Sequence, residues 1–172
     1  MTTAGASVGA FISGRFGLVL ADRSEITRRR REAADEVIET LSNLRRLMRN
    51  AENSTDFDQW ASVVSSAYDA VDDARHRLPR GWRHLKRSLR AAIGEAVGGV
   101  AMVDLRAPSQ QLLGTFNHRW VEYALEYIDL TLDSTRRWRD AKPSMASKIN
   151  LLSYDDWLAK TERYIPGGGQ GI

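Results

Sequence analysis

The chain contains no cysteine, only four prolines in 172 residues, and no long uninterrupted hydrophobic run. The lack of cysteine excludes disulfides, thiolate nucleophiles and metal sites built on cysteine. It also fits a reducing compartment, so we expect a cytoplasmic protein. Because proline is scarce, long stretches of the chain can form helices without interruption.

Catalytic and cofactor-binding motifs are missing as well. The sequence has no Walker loop, no GxGxxG before a helix, no GxSxG elbow and no HExxH pair. His76 and His84 lie among arginines, where we expect surface or phosphate-contacting side chains. We therefore predict a protein that is not an enzyme, with no catalytic residue, no metal and no cofactor.

Apolar residues recur at steps of three and four in four long segments, and no segment shows the two-residue alternation of a strand. The breaks between these segments, at residues 53–55, 78–81 and 107–109, are short, and short loops join antiparallel neighbours. The sequence therefore predicts an all-α fold, an antiparallel up-down-up-down four-helix bundle. The four stripes are Ile26, Ala33, Val37, Leu41, Leu44, Met48 and Ala51; Phe57, Trp60, Val64, Ala67, Val71, Ala74 and Leu78; Trp82, Leu85, Leu89, Ala92, Ala96 and, less regularly, Val100 and Val103; and Leu113, Phe116, Trp120, Tyr123, Tyr127 and Leu130.

The same pattern divides the chain into four parts. In the third part, Ser153 and Asp156 have the spacing of a capping box and predict a helix start. The parts are an N-terminal glycine-rich apolar helix (residues 1–23), the bundle (24–142), a short C-terminal helical segment (143–165) and a glycine-rich tail (166–172).

Positive charge is clustered along the chain. Fifteen of the twenty-five Lys and Arg residues fall in three blocks at the ends of predicted helices. With alternating helix directions, the three blocks reach one end of the bundle, which we call the basic pole. Cations at a helix start oppose the helix dipole by about 0.3–1 kcal/mol each, so a negatively charged partner explains the clustering better than helix stability does. A solvated arginine-rich surface is the alternative. The basic pole comprises Arg28, Arg29, Arg30, Arg31, Arg75, Arg77, Arg80, Arg83, Lys86, Arg87, Arg90, Arg136, Arg137, Arg139 and Lys142.

Negative charge follows one stripe of the fourth predicted helix. Its carboxylates are spaced by four, three and four residues, which places them on one face. We expect this face either to be solvated or to pair with arginines of a neighbouring helix. Its members are Glu122, Glu126, Asp129 and Asp133.

The N-terminal part is apolar but short for a membrane span. Residues 4–21 contain one charge, Arg15, whereas a spanning helix needs about twenty apolar residues. Its glycines and serines suit close contact between helices. Three interpretations stay open: a membrane-interfacial helix, an oligomerisation helix, or a helix packed on its own bundle. The apolar face available for membrane or oligomer contact is Val8, Phe11, Ile12, Phe16 and Val19.

Together these features predict a helical interaction or scaffold protein that docks on an anionic membrane surface through its N-terminal helix and basic pole. We expect it in the cytoplasm, with peripheral attachment to the inner face of the membrane as the membrane-bound form. An anionic protein is an alternative partner, and so is nucleic acid, whose phosphate contacts with the same pole would be salt-sensitive. A further alternative is a structural subunit of a homo-oligomer or larger assembly.

Overall fold

The computed structural model of the chain describes residues 7–50, 57–97 and 118–163, with side chains described from residue 24 onwards in the first of these ranges. Every regular element in these ranges is helical, which confirms the all-α prediction. Several predictions lie outside the described part of the structure: the breaks at residues 53–55 and 107–109, the start of the fourth stripe at Leu113 and Phe116, the glycine-rich tail, the stripe residues Ala51, Val100 and Val103, and the side chain of Phe57. The elements are α1 (Ser7–Arg49), α2 (Phe57–Ala74), a 3₁₀ turn (Arg80–Trp82), α3 (Leu85–Ala96), α4 (His118–Asp140), α5 (Pro143–Ala146) and α6 (Tyr154–Lys160).

Helix α1 is continuous across the predicted boundary between residues 23 and 24. It contains 43 residues, which gives a length of about 65 Å at about 1.5 Å per residue. The helix does not break there because residues 18–27 contain neither proline nor glycine. The separate role assigned to residues 1–23 stays a prediction.

Helix α1 packs against α2 and α4, and α3 packs against α4 and α6. α1 and α4 run in opposite directions, because Asp35 pairs with Arg139 near one end and Arg45 pairs with Asp129 nearer the other. The Trp82 and Trp138 rings, 6.0 Å apart, join the start of α3 to the end of α4. The chain before α3 and the end of α4 therefore lie at the same end of the molecule as the first described side chains of α1.

The core follows the predicted stripe of α1 from Ala33 onwards and the predicted stripes of α2 and α3, but it departs from the predicted stripe of α4. Tyr123 and Leu130 of the predicted α4 stripe are half-buried, and the fully buried face lies to one side of them. Thr131 and Thr135 occupy that buried face, and each hydroxyl donates a hydrogen bond to the carbonyl one turn earlier, at 2.9 and 2.8 Å. Because these hydroxyls are satisfied within the helix, they can face the core despite their polarity. The residues of this face are Ala124, Tyr127, Ile128, Thr131, Leu132, Ser134, Thr135 and Trp138.

Ile26 is the first residue of the predicted α1 stripe, and the prediction that it belongs to the core is wrong. Its side chain is 59% exposed, whereas Ala33 and the later residues of the stripe are buried. Ile26 lies one turn before Arg30, whose side chain already reaches Ala141 just beyond the end of α4, so α4 ends before it can cover Ile26.

Residues 149–154, which we call the strap, cross from α5 to α6 beside the start of α3 and the middle of α4. Trp82 Nε1 donates to the carbonyl of Ile149 at 2.9 Å, and the Tyr127 hydroxyl donates to the carbonyl of Leu152 at 2.8 Å. His84 Nε2 lies 2.9 Å from the carbonyl of Leu151, which can only accept, so this nitrogen carries the proton. His84 is therefore a half-buried structural residue, and the expectation of a surface or phosphate-contacting histidine is wrong.

Helix α6 begins where the capping-box spacing predicts. The Asp156 backbone N–H donates to Ser153 Oγ at 3.1 Å, and Ser153 Oγ donates to the Asp156 carboxylate at 2.6 Å. The buried face of α6 adds two rings to the core, since Tyr154 and Trp157 lie 5.2 and 5.8 Å from the ring of Tyr127. This short helix is thus held by a cap and by aromatic packing.

Candidate anionic-partner site

The three chain segments that carry the basic blocks converge on one cavity of about 780 Å³, which we call the pole cavity. Arg29 and Arg30 of α1 line it opposite Arg77 and Arg80 of the α2–α3 turn. Arg30 also reaches the chain that follows α4, where its Nη2 donates to the carbonyl of Ala141 at 2.6 Å. Burial, followed by the charge of Arg31, lowers the pKa of Arg30.

The pole cavity has a mainly apolar lining. Two large hydrophobic side chains in the described ranges are strongly exposed, Ile26 at 59% and Met145 at 52%. Ile26 lines the cavity, and Met145 belongs to α5, whose Pro143 and Ala146 line it too. Exposed apolar side chains are therefore concentrated at the end of the molecule that carries the arginines. Its apolar lining consists of Ile26, Leu78, Pro79, Trp138, Pro143 and Ala146.

Carboxylates of the same helix pair with much of the α1 block. Arg28 contacts Glu25 at 2.7 Å and Glu32 at 2.5 Å, and Arg29 contacts Glu25 at 2.6 Å. The hydrogen bonds from Arg28 and then from Arg29 lower the pKa of Glu25 to about 2. Part of this block's charge is thus neutralised locally.

The α4 block is divided between two surfaces. Arg139 pairs with Asp35 at 3.0 Å and with Asp140 at 2.9 Å, and the hydrogen bond from Arg139 lowers the pKa of Asp140. Arg136 pairs with Asp133 at 3.0 Å and lies in a groove between α1 and α4 with Arg45, away from the pole cavity. The structure therefore brings Trp138 of this block to the pole cavity, whereas none of its four cations lines that cavity, namely Arg136, Arg137, Arg139 and Lys142.

The block around the α2–α3 turn carries the most unpaired charge. Lys86 pairs with Asp72. Six arginines of this block form no ion pair with any residue in the described ranges. Arg77 and Arg80 of this group line the pole cavity, and the other four line a second cavity of about 690 Å³ between α2 and α3, which we call the cationic cleft. The six are Arg75, Arg77, Arg80, Arg83, Arg87 and Arg90.

Two of the four carboxylates in the acidic stripe of α4 pair with arginines outside that helix, as one of the two expectations for the stripe states. Asp129 binds Arg45 of α1 at 2.9 Å, and Glu126 pairs with Arg163 beyond α6. The Arg163 guanidinium also lies 4.7 Å from the ring centroid of Trp157 and 5.0 Å from that of Tyr123. This stripe therefore fastens α1 and the end of α6 to α4.

Several residues of the site lie beyond what sequence reasoning singled out. The sequence gives one signal for Met145, since it is an apolar residue two positions after Pro143 and next to a basic block. The four residues of α5 are too few to show a periodicity that would separate buried from exposed positions. Glu95, on the wall of the cationic cleft, had no signal in the sequence, because its distinguishing feature is its burial near Asp155 in the folded chain.

The predicted membrane or oligomer contact residues, Val8, Phe11, Ile12, Phe16 and Val19, lie in α1, but their side chains fall outside the described part of the structure. Within the described ranges, no helix combines the length and apolar character needed to cross a bilayer. Among the same residues, no group of three His, Asp or Glu side chains is arranged to hold a metal ion. Comparison with protein-family models, curated proteins and solved structures gives no match.

Proposed function

We propose that this protein is a non-enzymatic interaction module that docks on an anionic membrane surface through the basic pole. The observation that supports the proposal is the coincidence of exposed Ile26 and Met145 with the arginine-lined pole cavity. An anionic surface attracts each nearby Lys or Arg by about 1 kcal/mol. The apolar side chains add a contribution that a purely solvated basic surface would not need, because burying one fully is worth about 1.5–3 kcal/mol.

In this proposal α1 to α4 form an antiparallel up-down-up-down bundle that serves as a rigid base for the pole. α1 continues from Ile26 back to Ser7, a distance of about 28 Å at about 1.5 Å per residue. Its N-terminal half, with Val8, Phe11 and Phe16 on one face, would lie in the interface of the same membrane.

Arg77 and Arg80 are the sharpest test positions because they are exposed and unpaired within the described ranges. The double variant Arg77→Gln/Arg80→Gln should bind phosphatidylglycerol-containing vesicles about 30-fold more weakly at low salt, since two contributions of about 1 kcal/mol are lost. Co-sedimentation of the full-length protein at two salt concentrations measures this change. Binding of the unmodified protein should fall as salt rises.

The matched control removes the same charge elsewhere. Arg46 and Arg49 lie in the last turn of α1, so Arg46 is about 24 Å along the helix from Arg30, more than twice the Debye length of about 10 Å at 0.1 M salt. Arg46→Gln/Arg49→Gln should leave vesicle binding within about twofold of the unmodified protein. An equal loss in both double variants would contradict docking through the pole.

Two further proteins test the apolar contribution and the N-terminal helix. Ile26→Ser should weaken vesicle binding without changing its salt dependence, because it removes apolar contact and no charge. A protein that starts at Ser24 should bind vesicles more weakly than the full chain if the first half of α1 lies on the membrane.

The exposed Ile26 and Met145 favour a membrane over a nucleic acid, whose phosphates would gain nothing from them. Salt-sensitive binding to duplex DNA with no binding to vesicles would overturn the proposal in favour of the nucleic-acid alternative. A large defined mass in solution with no binding to either would favour a structural subunit of an assembly.

A further inference from the structure

The cationic cleft between α2 and α3 has one strongly basic end. Arg83, Arg87 and Arg90 are spaced by four and three residues, so they face the same side of the chain at α3. From Arg83 to Arg90 the helical rise is about 10 Å. Arg75, just after α2, lies on the opposite wall. These four guanidinium groups form no ion pair within the described ranges, which leaves them available to an anion.

The other end of the cleft is acidic. Glu95 and Asp155 line it, and Glu95 is about 7.5 Å along α3 from Arg90 at about 1.5 Å per residue. Glu95 Oε2 is buried, and the neighbouring Tyr154 hydroxyl favours its charged form without offsetting the effect of burial. Burial, reinforced by the charge of Asp155, raises the pKa of Glu95. A carboxylate whose charged form is disfavoured by burial is costly, and a cationic donor placed in the cleft would relieve that cost.

Part of the lining of the cleft is apolar, and on α3 this part includes Ala91, which lies between Arg90 and Glu95. Val71, Leu78 and Ala91 line the cleft together with an edge of the buried Trp82. Lys86 on the α3 wall is held by Asp72 on the α2 wall, so this pair adds little net charge. The cleft of about 690 Å³ falls within the range of about 300–1,000 Å³ typical of small-molecule sites.

We propose that the cationic cleft binds a small phosphate ester that carries an amino group at the end opposite its phosphate. The phosphate lies among Arg75, Arg83, Arg87 and Arg90, since guanidinium groups bind phosphate oxygens through paired hydrogen bonds. The amino group donates to Glu95 and Asp155, and the intervening carbon atoms contact the apolar wall. An inorganic anion satisfies only the first of these three requirements, and Glu95 and Asp155 repel it.

Calorimetric titration of the full-length protein with inorganic phosphate and with 2-aminoethyl phosphate tests the proposal. The ester should bind about tenfold or more tightly than inorganic phosphate, since one charged hydrogen bond contributes about 1.5–3 kcal/mol. Arg87→Gln should weaken both probes by about tenfold, because Arg87 faces the phosphate. Arg87 is exposed and unpaired in the described ranges, so this variant should fold.

Glu95→Gln separates this proposal from a general attraction between arginines and anions. Loss of the carboxylate charge should weaken 2-aminoethyl phosphate and strengthen inorganic phosphate, so the two affinities shift in opposite directions. Asp155→Asn, at an exposed position, should give the same crossover if Glu95→Gln does not fold. Equal shifts for both probes, or no binding of either probe at about ten millimolar, would overturn the proposal.

A soluble ester and a lipid headgroup share this chemistry. Vesicles containing phosphatidylethanolamine displace 2-aminoethyl phosphate if the natural source is a lipid, and leave it bound if the source is a free ester. Arg77→Gln/Arg80→Gln alters the pole cavity and not the cleft. That variant should therefore bind both probes normally, so failure of membrane docking and failure of this site are distinguishable.

Discussion

The Tyr127 hydroxyl provides a stringent test of how the strap is held. Tyr127 is fully buried in α4, and its hydroxyl donates to the carbonyl of Leu152 at 2.8 Å. Burial raises the pKa of this hydroxyl above its usual range, so it stays a neutral donor. Tyr127→Phe removes the donor and keeps the ring contacts with Tyr154 and Trp157, which lie 5.2 and 5.8 Å away.

The expected cost of Tyr127→Phe follows from the group that it leaves unpaired. A neutral hydrogen bond contributes about 0.5–1.5 kcal/mol net, and a buried acceptor left without a partner costs about 1–3 kcal/mol. We expect the free energy of unfolding to fall by about 1–2 kcal/mol. For a chain of 172 residues, this corresponds to a decrease in melting temperature of about 3–6 °C.

Tyr123→Phe is the matched control for this substitution. The Tyr123 hydroxyl accepts a hydrogen bond from Arg119 Nε at 2.8 Å on a partly exposed surface, so its loss should cost less than about 0.5 kcal/mol. Urea titration of both variants measures the difference. Hydrogen exchange adds a local readout, because the Tyr154 amide, which donates to Ser88 Oγ at 3.1 Å, should exchange faster in Tyr127→Phe. Equal stability of the two variants would refute the argument that this hydroxyl anchors the strap.

Three further results are expected. Ser153→Ala should lower the free energy of unfolding by about 1 kcal/mol in urea titrations, because it removes the N-cap of α6. NMR titration of the Glu25 carboxyl should give a pKa of about 2 at low salt, moving towards the usual glutamate value in about 1 M salt, which screens Arg28 and Arg29. Glu95→Gln should raise the melting temperature at pH 7 and lose that gain near pH 4. The pKa of Glu95 is raised in the folded protein, so the protonated carboxyl favours folding at low pH. That contribution to stability is lost as pH rises through the folded pKa, and glutamine avoids the loss.

The helical fold was predictable because its signal is local. The α2 stripe is buried at every predicted position between Trp60 and Ala74, and Ser153 caps α6 as its spacing predicts. The register of α4 was not predictable in the same way. Thr131 and Thr135 count as polar in any periodicity, yet their hydroxyls bond back to the helix and so can be buried.

The ion pairs of the arginines were also predictable only where they are local in the sequence. Arg28 and Arg29 lie three and four residues after Glu25, a spacing at which helix side chains meet, so these pairs could be read from the sequence. Arg139 pairs with Asp35, 104 positions away, and Arg163 pairs with Glu126 across α6 and α4. Such contacts depend on which helices are neighbours and in what register, which residue spacing alone does not determine.

The unpaired arginines at α3 occupy positions that helix electrostatics disfavours. The first turn of α3 contains no acidic residue, and no side chain caps its start at His84. Arg83 and Arg87 therefore meet the positive end of the helix dipole, at a cost of about 0.3–1 kcal/mol each. No carboxylate in the described ranges forms an ion pair with either residue that would offset this cost. Residues that lower the stability of the fold are expected mainly at functional sites. Arg83 and Arg87 therefore favour the cationic cleft as a ligand site over the α1 block, whose charge is partly neutralised by its own carboxylates.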